Sequence, residues 1–171
     1  MNVGSFITSE KETYGIFSDG YAQSVTDEFI FEYNSLRDVL EKDSLSLMYE
    51  NALGTSKLKH SKIQFLPPLI NPTKIICVGM NYRKPYPIDG QKVSDPNNII
   101  LFGKNREAML AHLDFLESPV GDASNSFDYE GEIAVVIGKQ ARNISPANAH
   151  ECIFGFSAFN DGSVRDWQSH S

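Results

Sequence analysis

The sequence predicts a mostly β protein of the α+β class, with a small N-terminal β unit and short helices followed by a second β-rich segment. Three observations carry that expectation. Short β-branched runs closed by glycine recur at Lys74–Gly79 and Ile133–Gly138; such runs suit buried strands better than helices, and Ile133–Ile137 reads as a strand buried on both faces. Asp19-Gly20 stands between two apolar runs, a hairpin signal because glycine accepts positive φ without a Cβ clash. Helix signals are confined to short stretches after Ser35, Ser44 and Ser145.

Taken in order, Val3–Ile7, Thr13–Phe17 and Tyr21–Val25 read as three strands of an antiparallel unit. Ser35 followed by Asp38 has the form of a capping box, and Leu36, Val39 and Leu40 supply one apolar face of the helix behind it. Ser44 opens a second turn or helix carrying Leu45, Met48 and Tyr49. The three prolines of Leu66–Pro72 remove backbone donors and fix φ, so this stretch reads as a linker. It divides the chain into a unit over 1–70 and a second over 71–171. In the second, Lys74–Gly79 and Asn98–Phe102 read as strands, Ser145-Pro146 starts a short helix with Ser145 as cap, and Ile153–Asn160 is an aromatic-rich strand.

Length and composition bound the function. A chain of 171 residues, 41% of them hydrophobic, can build one real core with a small appendage. A net charge of −7 argues against nucleic-acid and membrane-surface partners, because nothing here neutralises phosphates. The expected ligand is small. Cys77 and Cys152 lie in apolar surroundings and read as buried free thiols of a reducing cytosol.

The chemistry gathers around Glu130-Gly131-Glu132, at the start of the Ile133–Ile137 run. Side chains two apart on a strand share a side, with Cα atoms roughly 6.5 Å apart. Two like charges held there need a proton, a basic partner or a cation. The plainer alternative is a solvated strand end that discourages sheet-to-sheet pairing. Asp161 stands at the end of Ile153–Asn160, where it is either a third carboxylate at the same rim or part of an ordinary Asp-Gly turn. Arg165 and Gln168, three apart, share a face on a helical turn and suit an oxo-acid carboxylate. Arg165 paired with Asp166 or Glu132 is the structural alternative. Lys104, at a strand exit, is either an anion holder or solvated, and Gly103-Lys104 lacks the spacing of a phosphate-binding loop.

Four stretches together resemble the fumarylacetoacetate hydrolase family: Ile75–Tyr82, Leu101–Lys104, Asp128–Lys139 and Gly155–Gln168. The resemblance implies a mixed-strand, barrel-like catalytic domain of which this chain carries the first half. It implies Mg²⁺, or Mn²⁺ or Ca²⁺, held by Glu130, Glu132 and Asp161. Arg165, Gln168 and Lys104 would act on a 2-oxo or diketo acid, with Tyr82 near the pocket mouth. It implies hydrolysis or lysis of a carbon-carbon bond through a metal-stabilised enolate, in a cytoplasmic homodimer.

Two departures qualify the expectation. Family members carry a His three residues after the tyrosine of Asn-Tyr, and here that position is Pro85. General-base catalysis contributes about 10²- to 10⁴-fold, so a hydrolase would suffer more from the loss than a decarboxylase. The family domain also continues beyond the Arg-x-x-Gln turn with a lysine, a Gly-Thr-Pro loop and further strands. The rival expectation is therefore a non-catalytic or truncated member that serves as a binding or subunit-interaction piece.

Overall fold

A computed structural model describes residues 1–9, 11–81 and 96–168. The N-terminal part is a five-stranded antiparallel sheet of β1 (Asn2–Thr8), β2 (Lys11–Ser18), β3 (Tyr21–Ser24), β4 (Leu58–Lys59) and β5 (Gln64–Phe65). The spatial order is β4-β3-β2-β1-β5. The Asp19-Gly20 hairpin forms as expected, pairing Ser18 with Tyr21, and Gly20 adopts φ +80°. Gly15 serves a different need, since a Cβ there would lie 2.0 Å from the carbonyl oxygen of Gln23 on the neighbouring strand.

Three helices, α1 (Asp27–Glu32), α2 (Leu36–Glu41) and α3 (Leu45–Leu53), accompany this sheet. Tyr14 and Ile16 from β2 join Val25, Tyr33, Leu36, Val39, Met48 and Ala52 in one buried cluster. The caps are specific. Ser35 Oγ accepts from Asp38 N, and Thr26 Oγ1 does the same for Phe29 N at the head of α1, a helix that the sequence pattern left unannounced. Gln23 Nε2 donates to the carbonyls of Ala52, Leu53 and Thr55 at 3.2, 3.3 and 2.9 Å, so a strand side chain satisfies the orphan acceptors at the end of α3. On the other face of β2, Phe17 rings with Phe6, Phe65 and His60. The proline stretch is docked on this unit rather than loose: Leu66 N donates to Ser5 O, Ser5 Oγ to Pro68 O, and Leu69 packs on the core.

Beyond it, β6 (Ile75–Gly79) pairs with β7 (Ile100–Lys104), β8 (Phe127–Asp128) with β11 (Ser163–Val164), and β9 (Gly131–Ile137) with β10 (Ile153–Asn160). Every strand pair among the described residues is antiparallel. Strand β7 begins two residues later than the sequence pattern suggests, and it carries Lys104 as its last residue. The helix expected after Pro146 is a 3-10 helix (Pro146–Cys152) without a side-chain cap from Ser145; a backbone bond from Asn148 N to Ser145 O closes its first turn instead. A last short helix, α4, spans Arg165–Gln168.

One expectation is overturned. Strand β9 is covered on one face only: Glu132, Ala134 and Val136 are half-buried, whereas Ile133, Val135 and Ile137 are exposed. Phe156 on β10, and Ile76, Val78 and Leu101 on the β6–β7 pair, are exposed likewise. A continuous apolar run implies that both faces need cover, and the described residues supply cover for one. Cys77 is buried as expected, while Cys152 is only half-buried; both are free.

Met48 is fully buried and Phe31 is 90% exposed. Met48→Ala should therefore lower stability by about 2–5 kcal/mol, and Phe31→Ala should stay within roughly 0.5 kcal/mol, as chemical denaturation would show. Gly15→Ala should destabilise like a core substitution, because backbone of β3 occupies the place of its Cβ.

Candidate functional site

The β9–β10 pair sets the site. Because these strands run antiparallel, with Glu132 opposite Phe159 and Gly131 opposite Asn160, the start of one lies beside the end of the other. Asp161 N donates to Glu130 O at 2.9 Å, and Asn160 Oδ1 accepts from Glu130 N at 3.1 Å. The backbone of Glu130 is thus held on both sides. Asp161 is only 2% exposed, so it is no surface Asp-Gly turn. Glu132 faces inward with Ala134 and Val136. Burial raises its carboxyl above the ordinary range, and the neighbouring charges of Asp161 and Glu130 push it further, with Lys104 opposing.

Two basic groups answer these acids. Lys104, at the end of β7, forms an ion pair with Asp161 Oδ1. Arg165 lies between Asp128 and Glu130: its Nη2 is 3.0 Å from Asp128 Oδ2 and its Nη1 2.8 Å from Glu130 Oε1. Burial alone would lower the guanidinium, but the hydrogen bond to Asp128 and the charge of Glu130 outweigh it and raise it. Gln168 closes a ring, accepting from Arg165 Nη1 at 3.2 Å and donating to Glu130 Oε1 at 3.2 Å. The partners of Arg165 are therefore Asp128 and Glu130, not the Asp166 or Glu132 of the sequence-based alternative.

The structure thus brings together Glu130, Glu132, Asp161, Lys104, Arg165 and Gln168. Tyr82 and Pro85 lie outside the described residues. His112 is placed elsewhere, edge-on against Phe65 of the N-terminal sheet with ring centroids 4.9 Å apart.

Three neighbours escaped the sequence reading. Asp128 continues the two-residue spacing of Glu130 and Glu132, a signal that the pattern did contain. Asn160 holds the Glu130 backbone through a contact that no local spacing encodes. Cys77 sits diagonally from Lys104 on one face of the β6–β7 pair, since Ile75 opposes Lys104 and Cys77 opposes Phe102. Burial raises its thiol and the charge of Asp161 raises it further.

Four carboxylates, Asp128, Glu130, Glu132 and Asp161, therefore stand around two basic groups. Among the described residues Glu132 forms no ion pair, and the buried Oδ1 of Asp161 accepts no hydrogen bond beside its pairing with Lys104. As the side chains stand, no three described His, Cys, Asp or Glu converge closely enough to hold a metal ion. The donor chemistry nonetheless fits a hard divalent cation, which takes carboxylate oxygens and would balance the charge left over.

The sequence and the fold have known counterparts. Residues 74–171 match the profile of the family described as "Fumarylacetoacetate (FAA) hydrolase C-terminal". The chain belongs to the fumarylacetoacetate hydrolase family. It is 37% identical over 133 residues to a mitochondrial oxaloacetate tautomerase of Xenopus laevis, covering 71% of this chain and 40% of that protein. It is 32% identical over 143 residues to an oxaloacetate tautomerase of Bacillus subtilis, covering 83% of this chain and 45% of that one. Among solved structures, a fumarylacetoacetate hydrolase from Exiguobacterium antarcticum superposes with a TM-score of 0.73 at 27% identity, over 98% of this chain and 58% of the other. The chain thus spans less than half the length of these curated relatives. No helix among the described residues is long and apolar enough to cross a membrane.

Glu132→Gln tests the crowding directly. In a metal chelator the variant should melt higher than the parent at pH 8, because the folded carboxyl is raised and its ionised form opposes folding. As pH falls through that raised value Glu132 takes up a proton, the penalty fades, and the two melting curves should converge. A variant that melts lower at pH 8 would show that Glu132 is instead held by favourable partners.

Proposed function

We propose that this chain carries the acid-and-arginine part of an enzyme site for 2-oxo acids, with Glu130, Glu132 and Asp161 holding Mg²⁺, or in its place Mn²⁺ or Ca²⁺. The observation that supports it best is the gathering of these three carboxylates from two strands beside Lys104 and Arg165. Bound there, a divalent cation would polarise a 2-oxo group and its neighbouring carboxylate as a Lewis acid. Arg165 presents a planar fork suited to a carboxylate, and Gln168 orients it through their shared hydrogen bond. Lys104 supplies a second positive charge at the rim. Burial of Asp161 and Cys77 on the inner side keeps water from the back of the site.

Enol–keto interconversion of oxaloacetate is the reaction we favour. The Xenopus and Bacillus relatives bear that activity in their names, and it requires only a proton shift at carbon. Hydrolysis of a carbon-carbon bond requires an activated water as well. Yet His60 and His112 pack around Phe65, and His150 contacts the carbonyl of Ala147. Hydrolysis or lysis of a diketo acid is the second reading, favoured by the solved relative named a fumarylacetoacetate hydrolase. We place the protein in a reducing compartment, the cytoplasm, from its two free cysteines, and propose a homodimer.

Calorimetric titration of oxalate, a planar mimic of an enolised 2-oxo acid, tests the site. Binding should require Mg²⁺ and weaken at least about tenfold, or 1.4 kcal/mol, in Glu132→Ala. Ultraviolet absorbance of enol oxaloacetate should then decay faster with the Mg²⁺-loaded protein than with Mg²⁺ alone. A well-folded protein that binds neither Mg²⁺ nor oxalate would leave the non-catalytic binding or subunit-interaction role instead.

A further inference from the structure

We propose that the Lys104 ammonium occupies the divalent cation's place on Asp161, so that cation loading expels Lys104 and thereby frees it for the substrate's carboxylate. This rests on the metal reading above and adds an order to it: cation first, oxo acid second.

The geometry separates the two partners by mobility. Asp161 has a 3% exposed side chain at the end of β10, anchored through its N–H to Glu130, and it has nowhere to go. Lys104 has a 27% exposed side chain on a flexible four-carbon stem, at the last residue of β7. The Oδ1 atom between them accepts no hydrogen bond that would survive the departure of Lys104. A cation drawn to Asp161 and to Glu132, which forms no ion pair among the described residues, would put a double positive charge against the ammonium on the same carboxylate. Two like charges cannot share that buried oxygen cheaply, and the side chain with access to solvent is the one that moves.

Arg165 differs in this respect. Its fork is tied to Asp128, Glu130 and Gln168 together, so a change at one contact leaves the others in place. Lys104 has Asp161 as its one ion-pair partner among the described residues. Once displaced, it is an uncompensated cation at the mouth of a site whose ligand is an anion. The same residue thus works against the metal and for the substrate.

The exchange is tested without reference to turnover. Acetylation of Lys104 by an amine-reactive ester, followed by peptide mass spectrometry, should be slow in chelator and should accelerate several-fold when Mg²⁺ is added. Calorimetry should show Lys104→Met binding Mg²⁺ about tenfold more tightly than the parent, a coupling of ordinary size for two linked sites, while oxalate binds the loaded variant more weakly. Lys104→Arg, which keeps the charge, should retain the weaker Mg²⁺ affinity and so separates loss of the charge from loss of the fold. Mg²⁺ binding with unchanged Lys104 labelling and unchanged affinity in Lys104→Met would overturn the exchange and leave the metal site standing. Absence of Mg²⁺ binding in parent and variants alike would remove the metal site and the exchange together. Binding to Lys104→Met but not to the parent would overturn the expulsion, since the lysine would then hold its place against the cation.

Discussion

The hydrogen bond from Asp161 N to Glu130 O is the constraint on which the site depends. It closes the β9–β10 ladder at the end where both strands carry acids. The ladder itself is held by main-chain bonds that cost the side chains nothing. Those bonds bring three carboxylates together although their mutual repulsion disfavours the arrangement; burial first, and then the charges of Asp161 and Glu130, push Glu132 toward its protonated form. A sheet can hold such a conflict because register is set by the whole strand pair, not by the two or three residues in dispute.

The conflict organises what surrounds it. Arg165 sits on α4 immediately after β11, and β11 pairs with β8, so Ser163 lies opposite Asp128. One short ladder therefore places both a carboxylate and its guanidinium partner. Lys104 arrives from the separate β6–β7 pair, along with Cys77 on the same face. Each of these three pairs of strands thus contributes part of the site. The N-terminal sheet stands apart from this chemistry. Its cluster around Val39 and Met48 is closed by caps and by the docked proline stretch, and its aromatic face receives His112.

Much of this was legible from residue patterns. The Asp19-Gly20 hairpin, the Ser35 cap, the Glu-x-Glu strand start and the Arg165–Gln168 turn all depend on neighbours within four residues, the range over which sequence spacing maps onto geometry. The partners of Arg165 were not legible in the same way, because Asp128 and Glu130 reach it only through the β8–β11 pairing across more than thirty positions. Asn160 as a brace for Glu130, and Cys77 as a neighbour of Asp161, have the same origin. The two-faced burial expected of Ile133–Ile137 failed for another reason: a run of apolar residues records that a face asks for cover, not which residues supply it. Ile133, Val135, Ile137 and Phe156 therefore stay exposed here.

Four carboxylates stand against two basic groups here, and that surplus of negative charge shapes how the site can bind anything. An anionic ligand must compete with Asp128 and Glu130 for Arg165, and with Asp161 for Lys104. A cation must compete with Lys104 and Arg165 for the acids. The two competitions are unequal: an anion alone adds to the negative surplus, whereas a divalent cation offsets it. Taken up together, a divalent cation and a carboxylate ligand satisfy both halves: the acids keep a positive partner and the basic groups keep a negative one. Under the metal reading proposed above, cooperative uptake of the two would follow from the charge inventory rather than from any one residue, with the coupling free energy equal in both directions. On the proposed reading the cation therefore comes first and the oxo acid second, because only the cation lessens the negative surplus.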